Sequence, residues 1–303
     1  MASLASYNLM PLEVLQDRVS AALACLETCD ICPRRCSVDR LKDERSFCRS
    51  GRLARVAGFA PHFGEEAPLV GHCGSGTIFF SGCNLACVFC QNYDISQQDQ
   101  GTEVSAQALA RMMLALQDSG CHNINFVTPT HVVPQILEAL VLAREEGLHV
   151  PLVYNSGGYD SVDTLRLLEG IFDIYMPDAK YGSDEPALVY SNAPGYTGIM
   201  KSAIREMHRQ VGDLAMDEDG VAVCGLLVRH LVLPEDASGT AEVVRFLSEE
   251  ISPNTYLNVM AQYHPEYNAC RFPELNRPIT GQEYADALRL AARAGLARGL
   301  AML

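Results

Sequence analysis

Three cysteines at C-x3-C-x2-C spacing, Cys83, Cys87 and Cys90, stand directly behind the apolar run Thr77-Ile78-Phe79-Phe80. A strand that ends on such a loop constrains the whole chain. Three thiolates on one tight turn suit three corners of a cubane [4Fe-4S] cluster, and other strand ends must then gather around the fourth. Ferredoxin loops use C-x2-C-x2-C or C-x4-C-x2-C with a further cysteine elsewhere, and zinc sites usually pair C-x2-C with a second pair. With no fourth cysteine on the loop, one iron is left open to a ligand, which points to chemistry rather than to storage of an electron.

The pattern that follows the loop fits an α/β body. Short apolar runs at 77–81, 122–127, 151–154, 172–176, 223–233 and 255–260 alternate with helical stretches at about 104–118, 132–146, 160–169, 184–211 and 239–250. Crossover helices between parallel strands produce this alternation. A full eight-stranded barrel needs about 250 residues. Only about 230 follow Leu69, so the expectation is a partial (β/α)6 TIM-like barrel over 70–303 with a C-terminal helix. Residues 1–69 read as a separate cysteine-rich extension: a helix around Pro11–Cys29, a cysteine-bearing loop, and the irregular stretch Phe59–Glu66. In parallel barrels reactive groups sit at the C-terminal ends of strands, where the cluster loop lies.

Cys83, Cys87, Phe89 and Cys90 together resemble the C-x3-C-x-aromatic-C signature of the radical S-adenosylmethionine (SAM) superfamily. That resemblance implies that SAM chelates the open iron, is cleaved reductively to a 5'-deoxyadenosyl radical, and abstracts hydrogen from a substrate. It also implies an external electron donor such as flavodoxin or ferredoxin. Each later strand end is a candidate wall of the SAM pocket. The second ends Thr128-Pro129-Thr130-His131, where many radical SAM proteins carry Gly-Gly-Glu; Thr128 and Thr130 offer hydroxyls instead, or simply start a helix. The third ends Asn155-Ser156-Gly157-Gly158, small residues that let a ligand approach the backbone. The fourth carries Asp178 and Lys180 two residues apart, pointing the same way if extended. This pair resembles the Asp-x-Lys element of glycyl-radical-enzyme activases, although an ordinary ion pair would look the same. Arg229…Pro234 and the terminal strand with His264 are similar to segments of the same activases, in which a histidine faces SAM. The overall resemblance, over 77 to about 265, is to relatives of the pyruvate formate-lyase activating enzyme, and it implies a glycyl radical enzyme as partner. A small metabolite or a peptide is the alternative substrate, and a non-catalytic iron-sulfur electron carrier is the alternative class.

A second cysteine group, Cys29, Cys32, Cys36 and Cys48, has C-x2-C-x3-C-x11-C spacing. Four thiolates suffice to close a zinc site or an auxiliary cubane, and both remain open alongside no metal at all. Seven arginines between Arg34 and Arg55 form a local basic cluster in a chain of formal charge −14, most simply read as a solvated face balancing nearby acids. With no long basic run and no apolar segment of about 18 residues, neither nucleic acid nor a membrane is an expected partner. Twelve cysteines without a leader-like N-terminus are expected as cytoplasmic thiols and metal ligands.

Overall fold

The computed structural model describes residues 5–300. Nine strands form one sheet: β1 (Ala54–His62), β2 (Ser75–Phe80), β3 (Thr102–Val104), β4 (Ile124–Val127), β5 (Leu152–Ser156), β6 (Ile174–Pro177), β7 (Ala215–Met216), β8 (Ala222–Leu231) and β9 (Tyr256–Met260). The spatial order is β3-β1-β2-β4-β5-β6-β8, with β7 and β9 both paired to β8. Strands β2, β4, β5, β6, β8 and β9 run parallel, which is the expected six-strand partial barrel. Strands β1 and β3 extend it as an antiparallel edge beside β2.

The second half of strand β1 falls in the stretch Phe59–Glu66 that reads as irregular. Gly58 and Pro61 interrupt its alternation, its register with β2 shifts between Val56 and Gly58, and most of its second half is exposed. An edge strand of this kind carries no clean period-2 signal. The stretch 184–211, expected as one helix, is two: Asp184–Ser191 and Tyr196–Val211. Asn192 adopts a left-handed conformation (φ 48°), and Pro194 disfavours helix at the residue before it, so the chain turns. The C-terminal helix is Gly281–Arg293, begun by a capping box between Thr280 and Glu283. No helix among the described residues is long and apolar enough to cross a membrane.

Two apolar layers follow from strand alternation. Tyr154, Tyr175 and Val228 pack outward with Phe126 and Phe172 against the helices, whereas Val153, Ile174, Met176 and Leu227 fill the barrel interior. Leu69, on the short helix Ala67–Val70, is fully buried in that inner layer and plugs the barrel. Burial of one such leucine is worth about 1.5–3 kcal/mol. The plug brings the preceding residue, Glu66, to the barrel mouth.

Candidate active site

Alternation places the polar residues above this inner layer on one interior face. Two residues beyond Val153 is Asn155, two beyond Met176 is Asp178 and then Lys180, and two beyond Leu227 is Arg229. Asp178 accepts from Lys180 Nζ at 2.6 Å and from Arg229 Nε at 2.8 Å, and Arg229 Nη2 donates to Asn155 Oδ1 at 2.7 Å. Glu66 lies 3.8 Å from Arg229 and accepts from Asn258 Nδ2 at 3.1 Å. The network borders a cavity of ≈ 450 Å³ at the C-terminal strand ends, lined by Phe79, Val127, Asn155, Arg229, Asn258 and Gln262 among others. That volume suits a nucleoside-sized ligand.

The cysteine loop closes one side of this mouth. At Gly82 the chain leaves β2 with φ 81°, and a Cβ there would stand 2.3 Å from the carbonyl oxygen of Cys48, so only glycine fits. The break after Ser191 serves the loop: Ala86 N–H donates to Ser191 O at 3.0 Å and Val88 N–H to Tyr190 O at 2.8 Å. Each sulfur has a polar neighbour: Leu85 N–H donates to Cys83 Sγ at 3.3 Å, Ser191 Oγ to Cys87 Sγ at 3.0 Å, and Ser96 Oγ lies 3.2 Å from Cys90 Sγ. Opposite the loop, Gly158 has φ 75° and would carry its Cβ 2.2 Å from Asp178 O, while Leu85 packs over Gly157. The glycine pair therefore lets the loop, β5 and β6 converge.

Electrostatics favour a fixed ionic pattern. Burial alone would raise the Asp178 carboxyl, but Arg229 and Lys180 outweigh it and hold it below the usual range. Lys180 is held above its usual range by Asp178 and Cys87 despite burial, which works the other way. Glu66 is pushed up by burial, with Arg229 opposing. Burial also pushes up the Cys83 and Cys87 thiols, and the Lys180 charge opposes this at both.

The other residues singled out in the sequence take varied positions. Phe89 is buried edge-on to Tyr263, with ring centroids 5.8 Å apart. Thr128 has φ 61° and donates its N–H to Asn155 O at 2.9 Å. Ser156 lies on the outward face of β5, where its hydroxyl donates to buried Asp160 at 2.6 Å, joined there by Thr130 and Tyr154. His264 is exposed at the rim beside Gln91, 3.2 Å from its Nε2. Sequence reasoning missed Glu66, Asn258 and Asn125; the last is fully buried inside the barrel with both amide atoms unpartnered. An acid in a stretch without periodicity offered no signal that it would face Arg229.

Among the described residues, the group of three potential metal ligands whose donor atoms all lie within 4.8 Å of one another is His72, Cys73 and His122, at the opposite end of the strands. There the Nε2 lone pair of His122 already accepts from Cys73 N–H at 3.2 Å. Neither cysteine set is drawn together that tightly.

A family model described as the radical SAM superfamily matches residues 77–212. The chain is also 34% identical over 293 residues to the uncharacterized protein MJ0674 of Methanocaldococcus jannaschii, covering 93% of this chain and 80% of that protein. The chain belongs to the radical SAM superfamily. Over 165 residues it is 24% identical to the pyruvate formate-lyase-activating enzyme of Clostridium pasteurianum, covering 52% of this chain and 61% of that enzyme. The crystal structure of HydG, a maturase of the [FeFe]-hydrogenase, superimposes with a TM-score of 0.52 at 11% identity, over 95% of this chain and 62% of that one. This last likeness shows the shared radical SAM fold.

Membership of the radical SAM superfamily implies a [4Fe-4S] cluster and SAM. The donor set at the barrel mouth fits the cluster: three largely buried sulfurs on one loop, each hydrogen-bonded or beside a hydroxyl. Soft thiolates with such donors are the usual iron-sulfur environment.

Proposed function

We propose that Cys83, Cys87 and Cys90 ligate the cluster, that SAM occupies the adjoining cavity, and that the protein activates a partner by hydrogen abstraction from a glycine. When bound, the cluster supplies the electron that cleaves SAM to methionine and a 5'-deoxyadenosyl radical. Lys180 and Arg229 present donors to the ligand's carboxylate and hydroxyls; Asp178 and Asn155 hold those cations in place and offer acceptors. Phe89, packed on Tyr263, stiffens the loop between Cys87 and Cys90, and Thr128 tethers the end of β4 to that of β5. His264 and Gln91 form the rim that a partner polypeptide or its reductant, a flavodoxin or ferredoxin, would meet.

The observation that carries this reading is the joining of Asp178, Lys180, Arg229 and Asn155 into one ionic network beside the cysteine loop. A glycine-radical target is supported by the likeness to an activating enzyme over half of the chain. Anaerobic reconstitution with iron, sulfide, dithionite and SAM tests it. Wild type should release 5'-deoxyadenosine and methionine, and Cys87→Ala should release neither. A glycyl radical signal in a candidate partner by electron paramagnetic resonance separates activation from modification of a small metabolite or peptide. Absence of 5'-deoxyadenosine from a protein with four irons at this site would refute the SAM assignment.

A further inference from the structure

Arg40 is 1% exposed, yet among the described residues its partners are two carbonyls and a cysteine sulfur rather than a carboxylate. Its Nε donates to Gly51 O at 3.1 Å and its Nη1 to His131 O at 2.8 Å; Nη1 also lies 3.9 Å from Cys29 Sγ, and Nη2 has no partner. Neutral carbonyls do not offset the charge of a buried guanidinium. The fold therefore calls for an anion at this point.

The cysteine group beside Arg40 can supply it. Cys29, Cys32 and Cys48 are buried, and Cys36 is half-buried. Cys29 N–H donates to Val38 O and Ser37 N–H to Cys29 O, closing a knuckle in which Arg35 and Ser37 are left-handed, as is Arg49 after Cys48. Alternating right- and left-handed backbone turns N–H groups inward and makes the concave nests that bind anions and iron-sulfur clusters.

We infer that Cys29, Cys32, Cys36 and Cys48 hold a second, fully ligated [4Fe-4S] centre, with Arg40 as its internal counter-cation. Four thiolates around either a cubane or zinc would carry the negative charge; spacing separates the two. A tetrahedral zinc site with Zn–S of about 2.3 Å needs every sulfur pair about 3.8 Å apart. Among the described residues no three of these sulfurs all lie within 4.8 Å of one another, so they do not form the tight tetrahedron of zinc, and neither do Cys83, Cys87 and Cys90.

This centre backs directly onto the first loop. The Cys48 carbonyl abuts Gly82, Arg34 Nε donates to Asn84 O at 2.9 Å, and His131, whose carbonyl accepts from Arg40, bonds through Nε2 to Ser81 O at 2.9 Å. With no open coordination position, it would pass one electron between an outside donor and the Cys83–Cys87–Cys90 site without changing bonds.

The test is independent of SAM cleavage. Cys83→Ala/Cys87→Ala/Cys90→Ala protein, reconstituted anaerobically, should keep about four irons and four sulfides per chain, against about eight of each in wild type. One zinc and no iron in that variant overturns the inference, as does no metal in a variant whose circular dichroism is native. Arg40→Lys should retain the iron, while Arg40→Met should lose it or shift its midpoint potential to more negative values, because a lost positive charge destabilises the reduced cluster. Full iron and an unchanged potential in Arg40→Met would overturn the counter-cation role.

Discussion

Asp178→Asn should destabilise the cluster-free protein by about 3 kcal/mol. The carboxylate accepts from Lys180 at 2.6 Å and Arg229 at 2.8 Å, so its removal leaves largely buried Lys180 unpaired and Arg229 with only the more distant Glu66, at 3.8 Å. Breaking a buried pair costs about 3–5 kcal/mol. The Lys180 and Arg229 side chains keep 18% and 17% of their exposure, and Arg229 lines a cavity large enough for water, which places the cost at the low end of that range. A loss of this size lowers the melting midpoint by roughly 5 °C. Asp178→Asn/Lys180→Met should lose less than the sum of the two single changes, with a coupling of about 1 kcal/mol or more. The pH dependence has a definite sign. Because the folded carboxyl lies below its usual range, its stabilisation is present above the unfolded value of about 3.9 and lost as pH falls through the lower folded value. The gap between wild type and variant should therefore narrow in acid. Urea unfolding followed by circular dichroism, with m-values compared, measures all of this. A gap under about 0.5 kcal/mol at pH 7, or strict additivity with Lys180→Met, would refute the account of the network.

Gly82→Ala should reduce iron incorporation at the first site several-fold, since the new methyl meets the Cys48 carbonyl and the backbone is left-handed; iron counts after reconstitution decide it, and normal loading would show that the turn can relax. Burial pushes His131 down to about 4. The native imidazole is neutral while the unfolded chain protonates near 6.5, so stability is full above about 6.5 and falls toward 4, by about 2 kcal/mol at pH 5. His131→Gln should flatten that slope in unfolding experiments between pH 7 and 5, and parallel slopes for the two proteins would show that other groups cause it.

The readable parts of this chain were the ones governed by local rules. Six parallel strands announced themselves because buried strands must be apolar runs bounded by turn residues, and the cysteine spacing is local geometry on one loop. Asp178 and Lys180 could be paired from their separation alone, since residues two apart on an extended strand share a face. Ser156 shows the limit of that reasoning: one step from Asn155, it faces outward to Asp160 while its neighbour lines the cavity. Strand β1 was hidden by Gly58 and Pro61, whereas the helix break was legible in Asn192, Pro194 and Gly195, local turn signals that the expectation of a single helix passed over.

By itself the sequence determined the chemistry available: three sulfurs on one loop, a strand–helix alternation long enough for six units, and acidic and basic side chains at the strand ends. Only the tertiary structure decided which of these meet. Glu66 reaches Arg229 because Leu69 plugs the barrel, and Asn258 joins them from the last strand. Arg40 is buried against Cys29 because the N-terminal knuckle packs on the back of the cluster loop, where Cys48 touches Gly82. Periodicity reports the face on which a side chain stands. Which distant face it meets depends on closure of the sheet, a property of the whole chain that no local window contains.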